Sequence, residues 1–466
     1  MAAEEGYEKL DESNVLPSPS PPSCRDFFIV VSSIIVCLTN TGLAFGFSAL
    51  VPSLLKIGAF HDRCDTLKVC HQQVSCLTGM FSMTTSLLNI AALPSGAILD
   101  HCGPRATGTF FCMVVAVGCV IFSQGPANEL AYTFGFLLFG VSGPCIFNCT
   151  LSFGNLFPAR AGLVTAALVG SFDASSAVFV ALSLALQSGL SFGVTFSGFA
   201  VIPALGAVMA LAWPKAPVEM EDEDFGDEMP QRSVQSICSG SEFWMLAYTV
   251  SVTMVCINFF IATAFAQMLH VTDSIEEAEK LNSAFAVFLP AGGIVFIPLI
   301  GLVLDRLGPT LGYFILQSTY GLFVLLMLCF YAGGGRISAI AAFACFAFCR
   351  PFFYSLLPAF CGQRFGFTHF GTIFGLLISI SGFCNFGVQT LTTLASLYGF
   401  RPVNSLLGLL QLSTVVLPLL VLAKDRKKIK PKLLEKATEH ERVRRKSSEL
   451  DDGLLRSFSI RSFSMK

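Results

Sequence analysis

Two similar stretches, GAILDHCGPR at residues 96–105 and GLVLDRLGP at residues 301–309, decide the predicted fold of this chain. They lie 205 residues apart, and in both a Gly, a Leu, an Asp, a second Gly and a Pro occur in the same register. A weaker pair, GNLF at 154–157 and GQRF at 362–365, repeats with an offset of 208 residues. Because two pairs share nearly the same spacing, the pattern indicates two halves of common design.

The composition around these repeats is typical of a protein whose solvent is lipid rather than water. Of the 466 residues, 53% are hydrophobic and only 13% are charged, whereas a soluble protein carries about 25% charged residues. This balance excludes a cytosolic enzyme, a nucleic-acid-binding protein and a secreted disulfide-stabilised domain. The net charge of −2 says little, because a membrane protein confines its charges to loops and tails.

Apolar segments long enough to cross a bilayer account for most of the chain. A spanning helix needs about 20 mostly apolar residues, and a helix satisfies its own backbone hydrogen bonds in lipid. Charges and Gly, Pro or polar breaks divide the chain into twelve such segments, at 27–55, 75–99, 107–124, 131–154, 161–187, 191–213, 243–269, 283–304, 311–332, 337–361, 370–397 and 403–423. The sequence therefore predicts an all-α polytopic membrane protein, whose 12 transmembrane helices form two six-helix bundles.

The polar segments divide the chain into five predicted regions. These are a disordered cytoplasmic N-terminal tail at 1–26, a first bundle at 27–213, an acidic cytoplasmic linker at 214–242, a second bundle at 243–423, and a basic, Ser-rich cytoplasmic tail at 424–466. Of the 29 Lys and Arg residues, 14 lie in that last tail, and because basic segments stay in the cytoplasm we place both termini there. Serines close to arginines in the tail are candidate phosphorylation sites: Ser447, Ser448, Ser457 and Ser462.

The paired Gly-x-x-x-Asp-x-x-Gly loops resemble the signature of the major facilitator superfamily, and the resemblance covers residues 27–423. In that superfamily the contacts of these loops lock one end of the two bundles and break on switching. The second loop has Thr310 where the first has Arg105. Gly96 and Gly103 are also expected to let two helices turn tightly. The resemblance implies a gating role for Gly96, Asp100, Gly103, Arg105, Gly301, Asp305 and Gly308.

Further motifs narrow the resemblance. GSFDASSAVF at 170–179, NSAFA at 282–286, RPFFY at 350–354 and HFGTIFGL at 369–376 are similar to solute carrier family 43. Members of that family carry large neutral amino acids or, in one branch, purine nucleobases by facilitated diffusion. The resemblance implies a facilitative uniporter of amino acids, with a nucleobase carrier as the alternative. A receptor or regulator of the same fold that moves no solute is a second alternative.

Two ionisable residues lie near the middle of predicted helices, Asp173 in the fifth and Arg350 in the tenth. Burying a charge in lipid costs at least about 2.5–3.5 kcal/mol, so each residue needs a partner, a cavity or a substrate. Arg350 offers a planar fork for a carboxylate, and Asp173 offers an acceptor for an ammonium group or a ring N–H. A zwitterionic amino acid uses both groups, whereas in the alternative the two residues pair with each other across the bundles.

Neutral polar and aromatic side chains extend the candidate site. The resemblance implies that the first, fourth, seventh and tenth helices line a central cavity. Asn and Gln side chains also form hydrogen bonds between helices, which stabilise the packing by about 0.6–2 kcal/mol each. This purely structural role is the alternative to substrate contact, and it applies to Asn385 and Gln389 as well. The substrate-binding candidates added on this basis are Asn40, Thr41, Asn148, Asn258, Phe353 and Tyr354.

What the sequence lacks disfavours several mechanisms. Proton-coupled carriers commonly relay protons through buried Asp, Glu or His, and here only Asp173 qualifies, which favours uniport. There is no phosphate-binding Gly-x-x-x-x-Gly-Lys motif and no gathered Ser, His and Asp, so we predict neither ATP-driven pumping nor an enzyme. We predict no cofactor, metal or nucleic-acid partner, only a small organic solute and the lipid bilayer of the plasma membrane; the oligomeric state stays open. Cys64 and Cys70 are candidates for a disulfide if their loop is extracellular.

Overall fold

The computed structural model describes residues 23–64, 71–157, 161–216, 233–272, 274–365 and 370–424. Helices make up nearly all of these residues, and no strand occurs among them. Asp100 and Asp305 are described by their backbone alone. Most of the predicted N-terminal tail and linker lie outside the described residues, as do Cys70 and the C-terminal tail after Lys424 with its four candidate serines.

Within the described ranges, twelve helical stretches are long and apolar enough to cross a membrane, if two bent helix pairs count as one span each. Span 1 joins Cys24–Asn40 to Leu43–Ile57, and span 8 joins Ile275–Val295 to Ile297–Leu304. Their order agrees with the twelve predicted segments and confirms the all-α polytopic prediction. Spans 2 to 7 are Gln72–Leu99, His101–Ser123, Glu129–Leu151, Ala167–Gln187, Phe192–Ala210 and Ser241–Val271, and spans 9 to 12 are Arg306–Tyr331, Gly335–Phe365, Thr372–Tyr398 and Phe400–Lys424.

Spans 1 and 8 bend sharply, although the sequence predicts each as one continuous helix. Span 1 turns by 45° after Asn40 and span 8 by 48° at Phe296. Each bend lies beside glycines that pack against span 5. A Cβ on Gly42 would come within 2.4 Å of the carbonyl oxygen of Phe172, and a Cβ on Gly293 within 2.4 Å of the Cβ of Asp173. Glycine is required at both positions because neither leaves room for a side chain.

The two repeated loops adopt the same backbone conformation. Gly103 has φ 74° and ψ 164°, and Gly308 has φ 74° and ψ 165°, a region open essentially to glycine alone. A proline follows each of them and begins the next helix, a position where its missing N–H costs nothing. Gly96 lies inside the helix of span 2, so its predicted part in the turn is wrong and Gly103 alone makes the turn. The identical pair of glycine conformations is the structural counterpart of the sequence repeat.

The two six-helix halves meet through a small set of spans. Span 5 packs against span 8, span 11 packs against span 2, and the second part of span 1 packs against spans 7 and 8. Aromatic rings fill each half separately, around Phe122 in the first half and Phe260 in the second. Polar side chains also join the two halves, and they form the site described next.

Candidate functional site

Asp173 and Arg350, the two predicted intramembrane charges, form an ion pair between the halves. Nη1 of Arg350 on span 10 donates to Oδ1 of Asp173 on span 5 at 2.5 Å. Only 1% of Arg350 and 2% of Asp173 are exposed. The two residues thus pair with each other across the bundles, which is the alternative that the sequence left open. Each residue supplies the opposite charge that the other needs in a low-dielectric environment.

Local sequence explains why the two charges come so close. Span 5 is interrupted after Asp173, where the hydroxyl of Ser175 donates to the carbonyl oxygen of Phe172 at 2.6 Å and that of Ser176 to the carbonyl of Asp173 at 2.9 Å. The glycine pair of span 8 then lies between spans 5 and 10. Gly293 faces Asp173, and a Cβ on Gly292 would come within 2.2 Å of the carbonyl oxygen of Ala347. The absence of two side chains lets three helix backbones converge at the pair.

Two aromatic rings lie against the guanidinium group. The Cζ atom of Arg350 is 4.2 Å from the ring centroid of Phe45 and 5.5 Å from that of Tyr354, within the usual range of cation–π attraction. Tyr354 was a predicted site residue, but Phe45 was not. Phe45 lies in the GLAFG stretch at 42–46, where two glycines flank it at the bend of span 1, but this pattern does not identify it as a contact of Arg350.

The ion pair leaves four buried hydrogen-bonding atoms without a partner. They are Nε and Nη2 of Arg350, Oδ2 of Asp173 and the hydroxyl oxygen of Tyr354. A buried polar group that lacks its hydrogen bond costs about 1–3 kcal/mol. The cluster therefore has unused capacity for both a negatively and a positively charged group. Phe353 is buried, with its ring 5.1 Å from that of Tyr354, and its contact with a substrate stays a prediction.

Asn40 and Thr41 form their described hydrogen bonds inside span 1. The amide nitrogen of Asn40 donates to the carbonyl of Val36 at 3.0 Å, and the hydroxyl of Thr41 donates to the carbonyl of Cys37 at 2.7 Å. The Asn40 side chain also faces Gly206 of span 6. Neither residue has a described contact with the Asp173–Arg350 pair, so the structure does not bring them to the centre of the candidate site.

Asn148 and Asn258 join helices to one another. Asn148 of span 4 donates to the hydroxyl of Ser95 in span 2 at 2.5 Å. Asn258 of span 7 donates to the amide oxygen of Asn385 at 2.9 Å, and Asn385 donates to the hydroxyl of Thr85 in span 2 at 2.7 Å. The second of these networks crosses from one half to the other. It forms a neutral polar junction distinct from the charged pair.

Further contacts between the halves lie toward one end of the molecule. We call this the far end, because it is opposite the end that carries the repeated loops at Gly103 and Gly308. Lys56 in the last turn of span 1 pairs with Glu279 at 2.9 Å, and Asn282 of span 8 donates to the carbonyl of Ser48 at 2.7 Å. Of the two ion pairs described between the halves, Asp173–Arg350 lies at mid-depth and Lys56–Glu279 lies at the far end.

Arg105 makes its described contacts within the first half. Its Nε donates to the carbonyl of Trp213 at 2.9 Å, and its backbone N–H donates to that of Pro214 at 3.1 Å. These bonds tie the first repeated loop to the end of span 6. A Cβ on Gly301 or Gly308 would meet no atom within 4 Å. The gating roles of these residues stay predictions.

No cluster of three or more His, Cys, Asp or Glu side chains with a metal-binding arrangement occurs in the described part of the chain. Cys64 is disulfide-bonded, which agrees with its predicted candidacy, and its predicted partner Cys70 lies outside the described residues. The other described cysteines are not disulfide-bonded.

Several known proteins are similar to all or part of this chain. Protein FMP42 of Saccharomyces cerevisiae is 29% identical over 444 residues, which cover 76% of this chain and 86% of that protein. Large neutral amino acids transporter small subunit 3 of Mus musculus is 27% identical over 39% of this chain and 33% of its own length. Equilibrative nucleobase transporter 1 of Bos taurus is 23% identical over 38% of each chain.

The fold is also found in a solved structure. The in meso crystal structure of the POT family transporter PepTSo aligns with a TM-score of 0.61 at 12% identity, covering 88% of this chain and 99% of that one. At that identity the likeness concerns the fold alone. The sequence also matches the family model of the Major Facilitator Superfamily over residues 33–386, a range that contains both repeated loops and both members of the ion pair. The chain therefore belongs to the Major Facilitator Superfamily, a family of membrane transporters and not of enzymes.

Proposed function

We propose that this transporter carries amino acids by facilitative uniport, and that large neutral amino acids are its main substrates. The observation that supports the proposal is the buried Asp173–Arg350 pair between the halves, with its unpartnered donors and acceptors. An amino acid brings one carboxylate and one ammonium group, which complement these atoms through charge-assisted hydrogen bonds. The mouse relative is named as a large neutral amino acid transporter, which agrees with this substrate class.

Uniport is favoured because the membrane interior offers no free proton carrier among the described residues. Among the side chains that the structure describes, Asp173 is the one buried carboxylate, and it is bound to Arg350. Protonating it would leave the guanidinium charge buried and unpaired, which costs about 3–5 kcal/mol when one member of such a pair is lost. Transport in this proposal is therefore driven by the gradient of the solute itself.

In the proposed cycle the halves open alternately at the two ends of the molecule. The Lys56–Glu279 pair and the Ser48–Asn282 bond hold the far end together. At the opposite end the two repeated loops carry the gate. The gating residues of this proposal are Gly96, Asp100, Gly103, Arg105, Gly301, Asp305 and Gly308, and the wider substrate-contact candidates are Asn40, Thr41, Asn148, Asn258 and Phe353.

Uptake measurements test the proposal. The chain is expressed in cells with low endogenous uptake, and the initial rates for labelled leucine, arginine and adenine are normalised to the amount of protein at the surface. We expect saturable leucine uptake that does not change with external pH or sodium. Sodium-dependent or pH-driven accumulation of leucine would contradict uniport, and absence of uptake of both leucine and arginine would contradict the amino acid proposal.

Purine nucleobase transport is the second candidate, and the match to the bovine nucleobase transporter favours it. Saturable adenine uptake without leucine uptake identifies this alternative. A chain that reaches the membrane and moves none of the three solutes fits instead a receptor or regulator of the same fold.

For the membrane and its sidedness we propose the plasma membrane with both termini in the cytoplasm. Support comes from the basic residues that follow span 12. Epitope tags at either terminus are expected to react with antibody only after permeabilisation, while surface biotinylation labels the protein in intact cells. Tag staining in intact cells, or an absence of surface biotinylation, would contradict this placement.

A further inference from the structure

We infer that Arg350 reads a free carboxylate of the substrate through its Nε–Nη2 edge while Asp173 remains on Nη1, so that only solutes with both a free carboxylate and a free ammonium group are carried. The inference rests on the proposed amino acid function and deepens it. It assigns the two substrate charges to named atoms and thereby predicts which chemical analogues the transporter rejects.

The geometry of the guanidinium group leads to this assignment. Asp173 occupies Nη1 alone, at 2.5 Å, whereas Nε and Nη2 are buried without partners. These two nitrogens form one edge of the planar group and point two parallel N–H bonds in the same direction. A carboxylate has two oxygens at the spacing that this edge requires, which is the usual bidentate geometry of arginine. Arg350 therefore binds Asp173 through Nη1 and a substrate carboxylate through its Nε–Nη2 edge.

Aromatic contacts hold the guanidinium group in place. Phe45 comes from span 1 and lies 4.2 Å from Cζ of Arg350, and Tyr354 lies one helical turn further along span 10. Rings against a planar cation leave its in-plane N–H bonds free, because cation–π attraction uses the face of the ring and not the hydrogen-bond donors. The rings thus restrain the orientation of the fork without competing with a carboxylate for it.

Tyr354 and Asp173 supply the remaining contacts. The Tyr354 hydroxyl is buried, unpartnered and on the same helix face as Arg350, where residues four positions apart are neighbours. In this inference it donates a third hydrogen bond to the carboxylate. Oδ2 of Asp173 is also unpartnered and accepts from the ammonium group. A purine has neither charge, so it leaves the charge-assisted part of this set unused.

Competition with leucine analogues tests the inference. Uptake of labelled leucine is measured against unlabelled leucine, leucine methyl ester, 3-methylbutylamine, 4-methylpentanoate and adenine. The ester and the amine lack the free carboxylate, and 4-methylpentanoate lacks the amine. We expect leucine alone to inhibit strongly, with the others at least about 100-fold weaker, because a site built to hydrogen-bond a group rejects analogues that lack it. Inhibition by the ester, the amine, 4-methylpentanoate or adenine within tenfold of leucine overturns the inference.

Two substitutions with matched controls locate the effect. Tyr354→Phe removes one hydroxyl and is expected to raise the KM for leucine by about three- to tenfold, in proportion to one hydrogen bond. Tyr313→Phe, which removes an equally buried and unpartnered hydroxyl elsewhere, is expected to leave KM within twofold. Arg350→Lys keeps a positive charge but has no Nε–Nη2 edge, so KM is expected to rise at least about tenfold. Arg336→Lys, an exposed residue of the same span, is its control.

The failure of this inference differs from failure of the proposed function. If the cells take up no amino acid, the proposed function is wrong. If leucine is taken up but the ester competes equally well, or if Tyr354→Phe and Arg350→Lys change KM no more than their controls, the amino acid function stands and the assignment of the carboxylate to Arg350 is wrong. Surface biotinylation of each variant corrects for differences in expression.

Discussion

Substituting Gly293 by Ala tests whether the close approach of span 8 holds Asp173 against Arg350. A Cβ at position 293 would lie 2.4 Å from the Cβ of Asp173, whereas ordinary van der Waals contact begins at 3.4 Å. The two backbones must therefore separate by about 1 Å. If the shift is carried into the ion pair, the 2.5 Å bond between Arg350 and Asp173 lengthens to the limit of a hydrogen bond.

The expected magnitude follows from that displacement. Forcing an extra carbon into a packed interior costs about 1–3 kcal/mol. Loss of a hydrogen bond between charged groups costs about 1.5–3 kcal/mol, and 1.4 kcal/mol corresponds to a factor of ten. We therefore expect Gly293→Ala to lower the ratio of maximal rate to KM for leucine uptake by about 10- to 100-fold, together with a lower melting temperature in detergent.

The assay compares Gly293→Ala with Gly321→Ala, both measured as initial uptake rates normalised to surface protein. Gly321 also lies within a span, but a Cβ there meets no atom within 4 Å. The control is expected to match the parent protein within twofold. If Gly293→Ala retains as much uptake and thermal stability as Gly321→Ala, the glycine contact does not position the ion pair and the reasoning fails.

Three further predictions concern the junctions between and within the halves. Reversing the charge of Lys56 should change leucine uptake by no more than about fivefold, because an exposed ion pair contributes about 0.2–1 kcal/mol. The double exchange Lys56→Glu with Glu279→Lys should restore uptake, and no recovery in the double variant would contradict a pairwise contact. Asn385→Ala should lower the melting temperature in detergent, since interhelical hydrogen bonds in membranes contribute about 0.6–2 kcal/mol each; an unchanged midpoint would refute that role. Gly103→Ala should destabilise the protein more than Gly308→Ala. Both substitutions impose about 1–3 kcal/mol of backbone strain, but only the Cβ at position 103 also meets a carbonyl oxygen, at 1.8 Å. Equal melting temperatures of the two variants would show that this contact relaxes.

Much of the fold was predictable because its signals are local. Segment length and hydropathy predicted twelve spans in order, and the GAILDHCGPR repeat at 96–105 predicted the paired loops. Asp173 and Arg350 stood out because few charges occur within apolar segments. The cost of burying a charge in lipid required a partner for each. The sequence could not show whether that partner is a substrate or the other charged residue, since Asp173 and Arg350 are 177 positions apart.

Other features were not predictable for a different physical reason. Phe45 gives no sign in the sequence that its ring lies against Arg350, because 46 phenylalanines occur in the chain and only the rotation of span 1 selects this one. Asn40 shows the converse, since its amide bonds to its own helix and faces span 6. A residue's place in a span does not reveal which neighbour its side chain meets.

The order of residues alone was enough to establish the lipid-embedded helices, their number, the internal repeat and the two unusual charges. These follow from hydropathy and chain length, which are properties of short windows. The contact between Asp173 and Arg350, the aromatic rings beside them and the glycines that let span 8 approach depend on the tertiary structure. They arise only when helices from both halves pack at a particular rotation and depth, and that packing is settled by the shapes of all the surrounding side chains together.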